Sequence, residues 1–293
     1  MALDASLVGT RTEPHLSEVD ERWTMAYAAG LGDMLDCYID TRRPEGVIAH
    51  PLFPVCFEWP TALLLRVKHR EKMSAAEAAR GVHATHHTII HRNLRPPLRV
   101  TTRAVIDGIE QRKPGALEVT RFETVDDQGV PICTTFTGNI YRQVEIVGEE
   151  RPATMPVVPA PTKPPTRPRA ELRVPISAGA AHVYTECARI WNPIHTDAKV
   201  AADAGLPAIM LHGTATLAFA VSQIIATEAA NDPTLVAEIY ARFGAMVFMP
   251  SELTVRIISR EKIDGGRDAI FFEALSSEGG RAVRDGVVIL RAS

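Results

Sequence analysis

A proline-rich stretch at residues 151–169, RPATMPVVPAPTKPPTRPR, constrains the fold of this chain more than any other feature, since it holds seven prolines. Proline lacks a backbone N–H and fixes φ, so such a stretch sustains neither a helix nor a central strand and behaves as an extended spacer. The stretch lies near the midpoint of the 293 residues. We therefore predict a domain over 1–150, a linker over 151–169 and a second domain over 170–293. A long surface loop within one domain is the alternative.

The two halves share an order of predicted elements, in which a helical region precedes strand-like segments. A helical period runs over residues 19–39, and four segments within residues 85–142 alternate apolar and polar side chains. In the second half, an apolar helix begins at residue 213 and strand-like segments fill residues 238–292. This repetition indicates an internal duplication of an α+β unit, in which an antiparallel sheet packs on a helix. The prolines of residues 51–60 favour an irregular buried connection into a short helix.

Composition argues against several classes of protein. The chain is 46% hydrophobic and 23% charged, as is usual for a globular protein. A net charge of −3 gives no drive towards nucleic acid or membranes, so we expect a small-molecule partner and neither of those two. We expect a cytoplasmic location, because the sequence offers no signal peptide, no membrane span and no peroxisomal SKL terminus. The four cysteines lack CxxC spacing, so we expect reduced thiols rather than a disulfide framework or a zinc site.

Residues 184–213, YTECARIWNPIHTDAKVAADAGLPAIMLHG, concentrate the side chains that can carry chemistry. His195 and His212 are acid–base groups, and Asn192 begins an Asn-Pro turn. Asp197 precedes a helical segment in the position of an N-cap. Gly213 opens the apolar helix, whose exposed N–H groups and dipole favour a developing negative charge.

This stretch resembles the signature of the MaoC-like (R)-specific enoyl-CoA hydratase/dehydratase family, of the hydratase-2 type. The matching positions are Tyr184, Asn192, Pro193, Ile194, His195, Asp197, Ala201, Gly205, Ile209, His212 and Gly213. The segment RFGAMVFMPSEL, with Arg242 and Phe243, resembles the strand pair that follows in the family. The first half is more loosely similar to the degenerate first repeat of two-repeat hydratases. The resemblance implies a double hot-dog fold, in which each repeat wraps an antiparallel sheet around a long central helix.

The resemblance also implies a lyase that adds or removes water at C2–C3 of an acyl thioester, either an enoyl-CoA or a 3-hydroxyacyl-CoA. It makes His195 the acid–base residue, the N–H of Gly213 the donor to the thioester oxygen, and Asn192 a neighbour in the catalytic site. The implied substrate-binding residues are Tyr184, Ile190, Asp197, His212, Arg242 and Phe243. No metal or redox cofactor is implied. The acyl group is borne by CoA or a carrier protein, and the chain forms a monomeric pseudo-dimer or a homodimer.

The chain departs from the family pattern at Ile190, where the family places an aspartate. Isoleucine cannot activate water, and loss of one acid–base partner typically costs about 10²–10⁴ in rate. If residues 184–190 are helical, Glu186 lies one turn away on the same face and is the candidate substitute, with an exposed glutamate as the alternative. Two other functions therefore stay open. One is a non-catalytic acyl-CoA-binding subunit, and the other is a diverged hot-dog enzyme such as a thioesterase, or an isomerase or cyclase of a secondary metabolite.

Other candidate residues have plain structural alternatives. Cys187 is expected to be an inert thiol, and Arg189 a solvated charge or a partner of Glu186 or of a substrate carboxylate. One cluster consists of His83, His86, His87 and His91. On a strand, His87 and His91 share a face but stand roughly 13 Å apart, too far for one metal ion, so structural or acyl-tunnel roles are expected. A second cluster, which could meet CoA phosphates or remain solvated, consists of Arg92, Arg95, Arg99 and Arg103.

Overall fold

The computed structural model describes residues 2–69, 73–162 and 166–292. Its helices are α1 Glu21–Gly30, α2 Asp36–Ile39, α3 Pro54–His69, α4 Ala75–Ala78, α5 Ala180–Ala188, α6 Ala198–Asp203 and α7 Gly213–Glu228. Its strands are β1 Ala2–Asp4, β2 His15–Val19, β3 Gly81–Ile90, β4 Leu98–Arg112, β5 Gly115–Asp126, β6 Pro131–Arg142, β7 Glu145–Val147, β8 Ala170–Ile176, β9 Val236–Phe243, β10 Ser251–Lys262, β11 Asp268–Leu275 and β12 Arg281–Leu290.

The chain divides into two compact units, and neither is continuous in sequence. Unit 1 comprises Met1–Glu18, Phe57–Arg92 and Arg99–Val157, and unit 2 comprises Val19–Cys56, Asn93–Leu98 and Val158–Ser293. Helices α1 and α2 thus belong to unit 2 although they lie in the first half of the sequence. The sequence boundaries 1–150, 151–169 and 170–293 stay a prediction.

Unit 1 contains an antiparallel sheet with the strand order β2-β4-β5-β6-β3. The β4–β5 ladder runs from Val100 opposite Asp126 to Arg112 opposite Gly115. Leu65 of α3 packs into a buried cluster of sheet residues, which consists in part of Ile106, Ile109, Phe122 and Tyr141. Removal of these side chains from water supplies the main stabilisation of the unit.

Helix α3 is longer than the sequence predicts. It runs for 16 residues through Pro60, so the expectation of only a short helix is wrong. Pro54 stands at the first helical position, where a missing N–H costs nothing. Pro60 costs one hydrogen bond, and the burial of apolar neighbours such as Phe57 and Leu65 offsets that loss.

Unit 2 repeats the same strand order, as β8-β10-β11-β12-β9. Its ladders are antiparallel throughout. Helix α7 contacts the four strands β9 to β12, and its residues Leu217, Val221 and Ile225 are fully buried. The identical strand order in the two units confirms the predicted duplication of an α+β unit.

The described part of the proline-rich stretch forms neither a helix nor a central strand, as predicted. Among its described residues, 151–162 and 166–169, the chain forms no helix or strand beyond a single bridge at Arg151. Arg151 exchanges two backbone hydrogen bonds with Ile109, and the Thr162 hydroxyl donates to Glu261 at 2.7 Å. These bonds hold the stretch to the strands of each unit rather than leaving it free.

Candidate functional site

The segment between α5 and α7 brings His195 and His212 together within unit 2. A short 3-10 turn, Pro193–His195, follows α5, and His212 caps the start of α7. The two imidazole rings stack with their centroids 3.7 Å apart and their planes at 28°. Both side chains are buried. The stretch predicted from sequence therefore folds so that its two histidines are in direct contact.

The His195 ring has a defined tautomer. Its Nδ1 lies 2.8 Å from the carbonyl oxygen of Met210. A carbonyl only accepts hydrogen bonds, so Nδ1 carries the proton and Nε2 keeps a lone pair. Burial lowers the pKa of His195 to about 4, although the bond to the Met210 carbonyl opposes this shift. At neutral pH the ring is therefore an uncharged base.

The second ring of the pair, His212, is held by Thr185. Its Nε2 lies 3.2 Å from the Thr185 hydroxyl. Burial and then the neighbouring His195 ring lower the pKa of His212 to about 2. A charge on either ring would be desolvated and close to the other, so both rings remain neutral.

Helix α7 begins at Gly213, as the sequence predicts. The first N–H groups of a helix have no partner within it, and the helix dipole places partial positive charge there. The ring of Phe243 would lie 3.4 Å from a Cβ built on Gly213, which is an ordinary contact. This end of α7 can therefore stabilise an oxygen that develops negative charge.

Tyr184 forms a buried wall beside the histidine pair. Its ring centroid lies 5.0 Å from that of His212, and its hydroxyl donates to Thr214 at 3.1 Å. The hydroxyl of Tyr27, from α1, lies 3.4 Å from that of Tyr184. Burial raises the pKa of both phenols, so both remain protonated donors.

No carboxylate joins the histidine pair among the described residues. Ile190 occupies the expected position of the family aspartate and is 5% exposed. Glu186 is exposed and accepts from the Trp191 indole N–H at 3.4 Å, and no described hydrogen bond or ion pair links it to His195. Its role as a substitute base stays a prediction.

Asp197 and Arg242 are engaged with other groups. Asp197 caps α6 as predicted, since its carboxylate accepts from the backbone N–H groups of Lys199 at 2.8 Å and Val200 at 3.1 Å. Arg242 pairs with Asp285 at 3.3 Å on the surface. Substrate contacts by these two residues stay predictions.

Arg189 stacks on an aromatic ring rather than pairing with Glu186. Its guanidinium lies 4.0 Å from the centroid of Trp23, and its backbone is left-handed, with φ of 57°. Trp23 in turn donates its indole N–H to the carbonyl of Cys187 at 3.1 Å. Burial raises the pKa of the Cys187 thiol, which fits the expectation of an unreactive cysteine.

Sequence reasoning missed a polar group in which His50 and Ser222 are buried and the partly buried Asp33 bonds Ser222. The Leu52 N–H donates to His50 Nδ1 at 3.1 Å, so His50 Nε2 carries the proton and donates to the Ser222 hydroxyl at 3.2 Å. His50 therefore cannot accept the proton of Ser222, and the trio is not a nucleophile with its base. Its members come from distant parts of the chain, and no motif links them.

The histidine cluster of the first half lies on β3 and after it. His86 Nε2 bonds the Thr88 hydroxyl at 2.9 Å, and His86 and His87 are buried. His91 bonds Thr134 at 2.9 Å on the surface. No three metal-ligating side chains converge anywhere in the residues that the structure describes. An acyl-tunnel role for these histidines stays a prediction.

Three of the four clustered arginines bind residues of their own unit. The pairs are Arg92 with Asp126 at 2.6 Å, Arg95 with the Glu45 carbonyl at 3.0 Å, and Arg99 with Glu18 at 3.7 Å. Such exposed contacts are weak and leave the side chains accessible. Phosphate binding by this cluster stays a prediction.

A pocket of about 270 Å³ opens between α5 and the turn that follows it. Its wall includes Thr185, Glu186, Trp191 and Asn192. Thr185 also bonds His212, so one lining residue of the pocket contacts the histidine pair. Trp191 is 59% exposed, which is high for so large an aromatic side chain.

The second half of the chain matches the MaoC like domain family over residues 160–277, and the first half matches the FAS1-like, dehydratase domain region over residues 6–135. A Mycobacterium tuberculosis relative, 3-hydroxyacyl-thioester dehydratase Y, is 27% identical over 96% of this chain and 95% of its own length.

Solved structures show the same architecture. A MaoC-like dehydratase from Phytophthora capsici superimposes with a TM-score of 0.82 at 20% identity, covering 98% of this chain and 97% of that chain. A Mycobacterium tuberculosis protein described as a double hot-dog fold superimposes with a TM-score of 0.61 at 17% identity, covering 97% of this chain and 96% of that chain. In the described part of our chain, none of the helices combines the length and hydropathy needed to cross a membrane. The chain therefore has the expected double hot-dog fold, with a MaoC-like domain over residues 160–277 and a FAS1-like dehydratase region over residues 6–135.

Proposed function

We propose that this chain is a lyase that hydrates an enoyl thioester at C2–C3, or dehydrates the 3-hydroxyacyl form. The observation that carries the proposal is the neutral His195 ring, which keeps a lone pair on Nε2 and lies in the same segment as the amino terminus of α7. The mycobacterial relative is named for the dehydrating direction of the same reaction.

In this mechanism His195 is the only acid–base group. Its Nε2 takes a proton from water while the water oxygen bonds to C3. The electron pair of the C2=C3 bond moves towards the thioester, whose oxygen becomes enolate-like. The N–H of Gly213 and the dipole of α7 stabilise that oxygen. The imidazolium then gives the proton to C2, so one water has been added and His195 is neutral again.

Because Ile190 stands where the family has a carboxylate, this reaction is slower than one catalysed by two acid–base groups. A second positioned acid or base typically contributes about 10²–10⁴ in rate. The one described hydrogen bond of the Glu186 side chain is with Trp191, so we give this carboxylate no step. The variant Glu186→Gln tests this directly. If Glu186 were a substitute base, this substitution would lower kcat for every substrate.

The experiment is incubation of the purified protein with a panel of enoyl-CoA and 3-hydroxyacyl-CoA thioesters, followed by mass spectrometry. Gain or loss of one water supports the lyase. Release of the free acid identifies a thioesterase, and an isomeric product without water exchange identifies an isomerase or cyclase. Either outcome contradicts the proposal.

A second candidate is an acyl-thioester-binding subunit without turnover, and Ile190 favours it. A buried isoleucine in place of a carboxylate keeps the site apolar and removes a group that would hold water. Saturable binding of acyl-CoA with no product from any member of the panel would support this candidate over the lyase.

A further inference from the structure

The start of α7 leaves the hydroxyl of Thr214 accessible next to the N–H of Gly213. Both residues are half-buried, whereas residues 215–218, which follow them, are buried. We propose that the Thr214 hydroxyl is a further catalytic group, a second hydrogen-bond donor to the thioester oxygen that becomes enolate-like. This inference rests on the proposed function, because it adds a donor to the same reaction.

The Thr214 hydroxyl has a hydrogen that no described residue takes up. A hydroxyl donates one hydrogen and accepts at two lone pairs. Tyr184 donates its own hydrogen to Thr214 Oγ1 at 3.1 Å, so Thr214 is the acceptor in that bond. Among the residues that the structure describes, none accepts a hydrogen bond from Thr214 Oγ1. Its hydrogen is therefore available to a ligand.

Tyr184 holds this hydroxyl in place. The Tyr184 side chain is buried, and its ring centroid lies 5.0 Å from that of His212. The hydroxyl of Tyr27 lies 3.4 Å from that of Tyr184. A hydroxyl that accepts a hydrogen bond is polarised and becomes a better donor. A donor held in this way needs no rearrangement when negative charge develops on the substrate.

Thr216, in the same turn of α7, shows the usual behaviour of a threonine within a helix. Its side chain is buried, and its hydroxyl donates to the carbonyl oxygen of His212 at 3.1 Å. Threonine hydroxyls in helices commonly bond the carbonyl four residues earlier in this way. The hydrogen of Thr216 is therefore occupied by the helix backbone, and that of Thr214 is not.

The first repeat lacks both donors at the matching positions. The segments HPL at 50–52 and HGT at 212–214 occupy corresponding places, because the residue before each histidine donates its backbone N–H to a carbonyl at 2.8 Å. That carbonyl belongs to Leu94, between β3 and β4, in one repeat and to Val247, between β9 and β10, in the other. Proline has no N–H and leucine has no hydroxyl. The two donors therefore occur together in the second repeat.

The kinetic test uses Thr214→Val, which keeps the shape of the side chain and removes its hydroxyl. We expect kcat for hydration of an enoyl thioester to fall about 10², with little change in KM, because the lost bond acts on charge that develops during the reaction. Thr214→Ser should keep most of the rate. Thr227→Val is the matched control, since this threonine is exposed in the last turn of α7. A Thr214→Val variant as fast as wild type, or a Ser variant as slow as the Val variant, would overturn the proposal.

A spectroscopic test needs no turnover. Acetoacetyl-CoA ionises to an enolate that absorbs in the ultraviolet, and donors to its thioester oxygen favour that form. We expect the ionisation constant of the bound probe to be about ten-fold smaller in Thr214→Val than in wild type. If ionisation depends on the hydroxyl and no thioester is turned over, the lyase proposal fails alone. If thioesters are turned over and neither kcat nor ionisation depends on the hydroxyl, the Thr214 proposal fails alone.

Discussion

His195 and His212 stack at a centroid distance of 3.7 Å, and each ring is anchored at one nitrogen. The Met210 carbonyl anchors His195, and the Thr185 hydroxyl anchors His212. Both rings are buried and neutral, with no carboxylate bonded to either one among the described residues. The base that we propose for this site is therefore a single imidazole nitrogen in a buried setting.

The pH dependence of activity should follow His195. Burial lowers its pKa to about 4, so the active neutral form is fully present above about pH 5. We expect kcat/KM to be level from about pH 5 to 8 and to fall about ten-fold per unit below pH 4. Initial rates of enoyl thioester hydration across this range measure the profile.

Acid also weakens the fold, so folding must be followed in parallel. The ordinary pKa of 6.5 is higher than the folded value of about 4, and the unfolded chain therefore binds protons preferentially below pH 6.5. Circular dichroism at each pH separates unfolding from titration. A midpoint near 6.5 in folded protein would contradict the assignment of the base.

Ile190→Asp should accelerate the reaction. It restores a carboxylate at the position implied for the family aspartate, and we expect kcat to rise by about 10² or more. Ile190→Asn is the matched control, because it has a similar shape and polarity but cannot accept a proton. An Asp variant that folds and is no faster than the Asn variant would show that the site needs no second group.

The role of the Gly213 N–H can be separated from the steric effect of a larger residue at this position. His212 has φ of −60° and ψ of 139°, which a following proline accepts, and the first helical position tolerates proline. Gly213→Pro therefore removes the N–H without breaking α7, whereas Gly213→Ala keeps it. We expect kcat of the proline variant to be about 10²–10³ lower than that of the alanine variant. Equal rates would remove this N–H from the mechanism.

Glu58 should make the fold less stable at alkaline pH. Burial raises its pKa to about 7, against an ordinary value of 4.5, although hydrogen bonds from Thr135 and Cys133 oppose the shift. The stability it contributes is present below pH 4.5 and is lost as pH rises through about 7. Relative to wild type, Glu58→Gln should gain up to about 3 kcal/mol in free energy of unfolding between pH 5 and 8.

Urea unfolding at both pH values measures this gain. The exposed Glu149→Gln is the control and should follow wild type at both. The prediction would be refuted if the free energy of unfolding of Glu58→Gln differed from that of wild type by the same amount at pH 5 and pH 8.

Much of the fold could be predicted from local patterns. Alternating side chains predict the long strands β3 to β6 and β9 to β12 but not the short strands β1, β2 and β7. The Asp197 and Gly213 positions predict the starts of α6 and α7. These signals are local because capping and strand alternation depend on near neighbours. The first-half helix was predicted too short, because burial along α3 offsets the local cost of Pro60.

The chemistry of the site depends on contacts that sequence does not encode locally. The tautomer of His195 is set by the carbonyl of Met210, and His212 is held by Thr185, a residue without a motif signal. Residues of α1, such as Tyr27, reach Tyr184 only because Val19–Cys56 folds into unit 2. A prediction from sequence that divides the chain at its proline-rich stretch does not include such contacts.

The central claim is that His195 is the acid–base residue of a thioester hydratase. The most direct measurement is the steady-state hydration rate of the best enoyl-CoA substrate by wild type and His195→Ala, with His15→Ala as a control distant in sequence. We predict that His195→Ala loses about 10²–10⁴ in kcat while keeping its native circular dichroism, and that His15→Ala matches wild type. Full turnover by a folded His195→Ala protein would contradict the account.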